Sequence, residues 1–243
     1  MMKKWGIAII AAGLLFTACN KDDGNDELVQ EEQNKVDDDA IVEYLQDHYF
    51  SPDRGVIKKF DSEDEADDDY APLSENATKL PSGVWVVKRP GVTAEGPVAT
   101  NNENDSILVS YQSTYFKATY EDLAENEKPY AAISGPFLST ISTSGTPAWD
   151  PVFYYRKLTD AQIDNGIKLS GYVIEGFTEG LKEFKSTDND GTELYNFQGA
   201  IIVPSRMAYS RDFDYLSGTP SYSYRDCSFV FNFELHRVVP RNN

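Results

Sequence analysis

The clearest alternation of apolar and polar positions lies near the C-terminal end of the chain, in CSFVFNFELHRVV (227–239). One face of this run carries Phe229, Phe231, Phe233 and Leu235, and the opposite face carries Asn232, Glu234 and His236. A period of two is the pattern of a β-strand with one face against a core. The run therefore predicts a long strand.

Similar but shorter patterns occur upstream. The run DSILVSYQSTYF (105–116) alternates, with Ile107, Val109 and Tyr111 on one face. Further strand candidates are SGVWVVKRPG (82–91), VFYYRKL (152–158) and FQGAIIV (197–203). Residues 117–150 are rich in Ser, Thr, Gly and Pro, which indicates an insertion or a long hairpin.

A helical period replaces the strand period in GYVIEGFTEGLKEF (171–184). Its apolar residues Val173, Phe177, Leu181 and Phe184 recur at steps of four, four and three, so they share one helical face. Gly176 lies where a tight turn could open the helix, and Gly180 would allow a sheet to approach closely. A second short helix is predicted over residues 37–50, where aspartates favour a helix N-terminus.

About five or six antiparallel strands and one short helix predict an α+β fold in which a bent sheet wraps around the helix. An N-terminal helix and an acidic linker precede it. We expect three parts: a leader over residues 1–18, an acidic tether with a short helix over 19–81, and a compact domain over 82–243.

The first residues have the organisation of an export signal. Lys3 and Lys4 precede an apolar run over residues 5–16, which is too short to span a membrane, and small residues lead to Cys19. This resembles the lipobox of bacterial lipoproteins, in which the cysteine receives a lipid. The following NKDDGNDE is similar to a surface-export signal of Bacteroidetes-type lipoproteins. The resemblance implies an envelope protein anchored at Cys19, with the outer membrane and its external face as the expected location. A buried cysteine in an ordinary secreted protein is the alternative.

Charge excludes one class of partner. The formal net charge is −18, and residues 20–70 carry 19 Asp or Glu against 5 Lys or Arg. Such a chain lacks the basic footprint that nucleic-acid binding requires. The run DSEDEADDD (61–69) repels itself and indicates a solvated linker.

Few residues are available for metal or nucleophilic chemistry. His48 and His236 lie far apart, and Cys227 has no second cysteine to pair with once Cys19 is lipidated. Phosphate-binding, dinucleotide and nucleophile-elbow motifs are absent from the sequence. The run STDNDGTEL (186–194) resembles a calcium loop but has Phe197 where the closing Glu would stand, so a polar turn is the better interpretation. We therefore expect neither a metal nor a cofactor.

Four segments, in order, resemble the FKBP-type peptidyl-prolyl cis-trans isomerases. SILVSYQ is similar to the family's V-x-V-x-Y strand, and YVIEGFTEGL to its V-I-x-G-aromatic-x-x-G-aliphatic segment. IIVPSRMAYS resembles I-P-P-x-x-A-Y-G, and FVFNFELHRV resembles the terminal strand L-x-F-x-V-E-L. The resemblance spans residues 83–239 and implies an FKBP-like fold with an aromatic pocket between sheet and helix.

The resemblance also implies roles for individual residues. Tyr209 and Phe177 match the catalytic tyrosine, which donates to a ligand carbonyl, and the aromatic pocket floor. Substrate-binding positions are matched by Tyr111, Phe137, Val173, Ile174 and Phe231. One of residues 152–154 is expected to supply a further wall.

Three departures from the family pattern concern the pocket. Leu138 replaces an acidic residue, Ser210 replaces a glycine, and the flap RDFDYLSGTPSYSYRDC (211–227) is long and rich in tyrosine. These leave more than one function open. The first hypothesis is an envelope prolyl isomerase that acts on proline-containing peptides or exported client proteins. The second is a degenerate domain that binds peptides without turnover. A surface lipoprotein that binds a nutrient or glycan is a more distant third.

Overall fold

A computed structural model describes residues 28–121, 128–142, 145–217 and 223–241. The predicted signal peptide and Cys19 lie outside these residues. The helices are α1 (Gln30–Asp47), α2 (Asp160–Asp164) and α3 (Glu175–Leu181). The strands are β1 (His48–Phe50), β2 (Ile57–Lys59), β3 (Ala77–Lys79), β4 (Trp85–Lys88), β5 (Asp105–Tyr120), β6 (Pro129–Ser139), β7 (Ala148–Trp149), β8 (Gly199–Val203) and β9 (Ser228–Pro240).

Among the described residues, seven strands form one antiparallel sheet. The order is β3-β4-β8-β9-β5-β6, and β7 adds a short pairing to β5; β1 and β2 form a separate two-stranded ribbon. β5 pairs with β9 from Asp105 opposite Pro240 to Phe116 opposite Ser228. The register of β5 shifts between Leu108 and Val109 against β9, and at two further points against β6. Such bulges bend a strand, which lets this sheet curve around a helix.

The concave face of the sheet holds the larger core. The side chains of Phe229, Phe231 and Phe233 on β9 are buried there with Val109 of β5. α3 lies across this face and contacts β8. A Cβ atom added at Gly180 would lie 2.6 Å from Ile201 Cγ2, and one at Gly176 would lie 2.4 Å from Val203 Cγ1. Both glycines therefore serve close packing, and Gly176 is not in the tight-turn role that the sequence predicted.

The convex face of the sheet is covered by α1. Val36, Ile41 and Leu45 of this helix are buried against Val230 and Ile202 of the sheet. The helix begins at Gln30, seven residues before the predicted start, because acidic side chains suit its first turn and Glu32 accepts a hydrogen bond from the Val29 N–H. The segment before residue 82 thus contributes a packed helix and the edge strand β3, beyond the tether that its charge indicated.

Polar residues on the convex face are also buried. Asn232 donates to the carbonyls of Gly55 and Gly199, both at 3.1 Å, and accepts from the Ile57 N–H. Glu234 is 2% exposed. Burial of these groups is tolerated because each has hydrogen-bond partners. The alternating pattern identified the face but not the loop that covers it.

The predicted strand over residues 152–158 is wrong. Residues 152–154 form a turn and residues 155–158 have no regular secondary structure. The N–H groups of Tyr154 and Tyr155 donate to the Pro151 carbonyl at 2.7 and 3.0 Å. Phe153 and Tyr154 are adjacent and both fully buried. A strand with one buried face could not place consecutive side chains in this way.

Asp37 of α1 makes folding pH-dependent. Burial raises the pKa of its carboxyl to about 6, although hydrogen bonds from Ser205 and Gln33 oppose the shift. The folded state then binds the proton more tightly than the unfolded chain, where an aspartate titrates near ~3.9. Its contribution to stability is complete below about pH 4 and is lost as the pH rises through about 6, by roughly 3 kcal/mol at most.

We predict that Asp37→Asn removes this loss of stability between about pH 4 and 6, because the amide does not titrate. Urea denaturation from pH 4 to 7 measures it as a flatter pH dependence of the free energy of unfolding. Asp39→Asn, on the same helix with a side chain that is 45% exposed, should leave the pH dependence of the free energy of unfolding unchanged. An unaltered slope in Asp37→Asn would contradict the assignment.

Candidate aromatic binding site

Three phenylalanines from three elements meet at the centre of the concave face. Phe177 comes from α3, Phe231 from β9 and Phe153 from the turn after Pro151. Their ring centroids lie 4.8 Å apart for Phe177 and Phe231, 4.9 Å for Phe153 and Phe177, and 4.8 Å for Phe153 and Phe231. These separations are typical of favourable aromatic pairs. We call this group, with the rings packed around it, the aromatic cluster.

Six of the seven site residues predicted from the sequence belong to or border this cluster. Tyr111 packs edge-on against Phe153 at 5.0 Å, and Phe137 of β6 lies 6.3 Å from Phe231. Ile174 and Tyr209 are buried in the same core. Val173 is buried at 6% exposure but lies outside this core, beside Leu169 and Glu175. The fold therefore brings together six of the seven residues that the sequence identified. The sequence predicted one further wall among residues 152–154, and both Phe153 and Tyr154 pack against Phe177.

The backbone of Ile174 is already engaged. Its N–H donates to the Phe153 carbonyl at 2.8 Å, and the Val173 N–H donates to the Leu169 carbonyl at 3.1 Å. The family resemblance implies that this pair meets a ligand. A ligand carbonyl could take the Ile174 N–H only by displacing Phe153.

The hydroxyl of Tyr209 is also engaged, since it donates to the Tyr172 carbonyl at 3.0 Å. Tyr209 is 2% exposed, and burial raises the pKa of its phenol. The side chain is therefore a neutral hydrogen-bond donor at any ordinary pH. It can hold a carbonyl oxygen but cannot act as a base.

Two residues that the sequence did not single out close the cluster. Tyr224 packs on Tyr115, Phe137 and Phe229, with ring centroids 4.9, 5.2 and 5.5 Å away. Asp214, 1% exposed, accepts hydrogen bonds from the backbone N–H groups of Leu216, Ser217 and Tyr224. It fixes the described part of the flap so that Tyr224 covers the rings. The tyrosine-rich composition of the flap was the one feature of the sequence that indicated an aromatic cover for the cluster.

The departures from the family pattern have clear structural counterparts. Leu138 packs against the aromatic core, and its backbone exchanges hydrogen bonds with the Ser113 hydroxyl. Ser210 has a φ of 51°, in the left-handed region where glycine is favoured. The chain therefore keeps the glycine conformation at this position and carries the strain of a side chain there.

The centre of the cluster is closed to solvent. Phe153, Phe177 and Phe231 have no exposed surface, whereas Phe137 and Tyr224 are partly exposed. Phe137 lies against Phe153, Phe229 and Phe231, and Tyr224 lies against Phe137 and Phe229, so these two partly exposed rings cover part of the cluster. Across the described residues, no group of three or more His, Cys, Asp or Glu could hold a metal ion. The same residues include no helix that is long and apolar enough to cross a membrane.

Comparisons with known proteins find similarity among solved structures only. No protein-family model and no curated protein matches the chain. FkpA from Escherichia coli aligns at 20% identity and a TM-score of 0.35 over 68% of this chain and 53% of that one. A peptidyl-prolyl cis-trans isomerase from Pseudomonas syringae aligns at 14% identity and a TM-score of 0.41, over 88% of this chain and 98% of that one. AtFKBP13 aligns at 16% identity and a TM-score of 0.34, over 67% of this chain and 98% of that one.

This chain therefore spans about half the length of FkpA. The structure is α+β, with a mostly antiparallel sheet and few helices, and its arrangement is consistent with an FKBP-like fold. Likeness at these identities and TM-scores leaves the function to be argued from the geometry of the site.

We predict that Tyr209→Phe lowers the free energy of unfolding by about 1 kcal/mol, because the Tyr172 carbonyl loses its donor. Urea denaturation measures the loss. Tyr130→Phe is the matched control, since Tyr130 is 49% exposed and lies away from the cluster. Equal stability of Tyr209→Phe and wild type would show that the Tyr209 hydroxyl is not held by the fold.

Proposed function

We propose that the protein is a peptidyl-prolyl cis-trans isomerase that binds X–Pro segments at the aromatic cluster. The observation that carries this proposal is the convergence of Tyr111, Phe137, Phe177, Tyr209 and Phe231 on one dry site. These residues come from five separate segments of the sequence and meet only in the folded chain.

The chemistry needs no nucleophile and no metal. Rotation about an X–Pro bond is slow because the planar amide is stabilised by resonance, with a barrier of ~18–20 kcal/mol. An apolar aromatic site holds the proline ring and removes the water that favours the planar, more polar amide. A hydroxyl donor that holds a neighbouring carbonyl keeps the rest of the peptide fixed while the bond turns.

The two engaged donors define how a substrate would enter. A peptide carbonyl replaces Phe153 O on the Ile174 N–H, and another replaces Tyr172 O on the Tyr209 hydroxyl. Each exchange leaves a protein carbonyl without its donor, which costs about 1 kcal/mol, and contacts of the peptide with the rings must offset this cost. Opening of Tyr224 and Phe137 exposes the rings beneath, and the proline ring then takes their place.

A second function is favoured by a specific observation. Phe177 and Phe231 are completely buried, and Leu138 supplies no carboxylate at the site. These features fit a domain that binds a peptide at Phe137 and Tyr224 without reaching the catalytic position. Peptide binding without turnover is therefore the alternative.

We also propose that the protein acts in the cell envelope, anchored by a lipid on Cys19, on exported client proteins. The lipobox-like sequence before Cys19 supports this proposal. An anchored isomerase would act on chains that have just crossed the membrane, where slow X–Pro bonds limit folding.

We predict that the full chain accelerates cis–trans exchange in the tetrapeptide Ala-Leu-Pro-Phe, measured by NMR exchange spectroscopy. Tyr209→Phe and Phe177→Leu should each lower the catalysed rate about tenfold, the equivalent of one hydrogen bond or contact in the transition state. Tyr130→Phe should leave the rate unchanged. Peptide binding without acceleration would contradict the isomerase and favour the alternative, and the absence of both would exclude both functions.

We predict that a cell expressing the protein incorporates labelled palmitate into it and that Cys19→Ser abolishes the label. The physical reason is that the thiol is the attachment point in the lipobox resemblance. Cys227→Ser is the matched control and should keep the label. Label that survives Cys19→Ser would contradict the anchor.

A further inference from the structure

Residues 205–211 form the loop that carries Tyr209, and α1 is hydrogen-bonded to this loop. The Ser205 N–H donates to Asp37 Oδ2 at 3.1 Å. Arg206 Nη2 donates to Asp38 Oδ1 at 2.8 Å, and Arg206 Nη1 donates to the Asn34 carbonyl at 3.3 Å. α1 and the loop are 168 residues apart in sequence at the Asp37 contact, so the contact exists only in the folded chain.

Asp37 is fixed in place and has no exposed surface. Gln33 Nε2 donates to Asp37 Oδ1 at 2.8 Å and also lies 3.1 Å from the Ala118 carbonyl of β5. A buried carboxylate is costly unless hydrogen bonds compensate for the lost water. One oxygen is thus fixed by α1 and β5, and the other is directed at the loop.

Ser205 is in turn hydrogen-bonded to both chain neighbours of Tyr209. The Ser205 carbonyl accepts from the Ala208 N–H at 3.0 Å and from the Ser210 N–H at 2.9 Å. Ala208 and Ser210 flank Tyr209 in the chain. The position of Ser205 therefore sets the position of the Tyr209 backbone, and with it the reach of the Tyr209 hydroxyl.

The far end of the loop is held by a second carboxylate. Arg211 Nε donates to Asp226 Oδ1 at 2.9 Å, and its Nη2 donates to the carbonyl of Leu28, just before α1. The Asp226 N–H donates to the Ser210 carbonyl at 2.7 Å. Helix α1 contacts the start of the loop, and Leu28, two residues before the helix, contacts its end.

We infer that Asp37 is a positioning residue for the candidate site: through the Ser205 N–H it holds the turn that presents Tyr209, which makes α1 part of the site. The consequence for turnover rests on the proposed function, but the positioning itself does not. The segment before residue 82 then does more than connect the domain to an anchor. It also supports the position of the hydroxyl that would hold the substrate.

The experiment is hydrogen exchange by mass spectrometry on the full chain, with Asp37→Asn, Asp38→Asn and Asp39→Asn. We expect Asp37→Asn to speed exchange of the amides of residues 205–210 at least tenfold, with a smaller increase in Asp38→Asn. Asp39→Asn should match wild type, because Asp39 pairs with Lys35 on the surface and does not contact the loop. Exchange in β5 and β9 should not change in any variant.

Wild-type exchange of residues 205–210 in both Asp37→Asn and Asp38→Asn would overturn the inference. If Asp37→Asn raises exchange throughout the sheet, the variant has lost global stability. The exchange of residues 205–210 in Asp38→Asn then decides whether α1 positions the loop. Affinity for Ala-Leu-Pro-Phe supplies a second readout: Asp37→Asn should weaken it severalfold, and Asp39→Asn should not. Failure of the proposed function would appear as no acceleration by the wild type, whereas the exchange result would still decide the positioning.

Discussion

The pairing of β5 with β9 is the interaction on which the rest of the structure depends. The two strands run side by side from Asp105 and Pro240 to Phe116 and Ser228. Their inward side chains provide the floor of the aromatic cluster, and their outward side chains provide the surface that α1 covers. A strand buried on both faces fixes its register firmly, because a slip of one residue would exchange the two sets of side chains.

The two helices that cover this sheet have different parts in the site. α3 brings Phe177 into the cluster and, through Gly176 and Gly180, approaches β8 more closely than larger residues would allow. α1 packs on the other face, and its Asp37 accepts a hydrogen bond from the Ser205 N–H in the loop that carries Tyr209. Because burial raises the pKa of Asp37, ionisation of this group at neutral pH costs stability. A buried carboxylate that lowers stability can be kept at this position if the loop needs a fixed hydrogen-bond acceptor for the Ser205 N–H.

Much of the site could be predicted from the sequence. Period-two alternation located Phe231 and Tyr111 on inward faces, helical spacing located Phe177, and the order of the segments brought Tyr209 to them. The pattern could not predict the closed state of the cluster, because Tyr224 and Asp214 act through a loop without periodicity. It also predicted a strand at Phe153 and Tyr154, where an apolar run is a buried turn.

The same limit explains the convex face. Asn232 and Glu234 alternate with phenylalanines, as exposed residues of a half-buried strand would, yet loops cover them and satisfy their hydrogen bonds. Periodicity reports which residues share a face, but the partner of that face depends on contacts distant in sequence. The start of α1 was missed for a related reason: a strongly acidic segment reads as solvated until tertiary packing is known.

If the closed aromatic cluster opens to receive a proline ring, a proline peptide must perturb the rings that cover it. Titration of the full chain with Ala-Leu-Pro-Phe, followed by NMR of the aromatic side chains and backbone amides, measures this perturbation. We expect saturable shift changes centred on Phe137, Tyr209, Tyr224 and the Ile174 amide, and none with Ala-Leu-Ala-Phe. Cluster resonances that stay unchanged at saturating peptide, or equal shifts with both peptides, would contradict it.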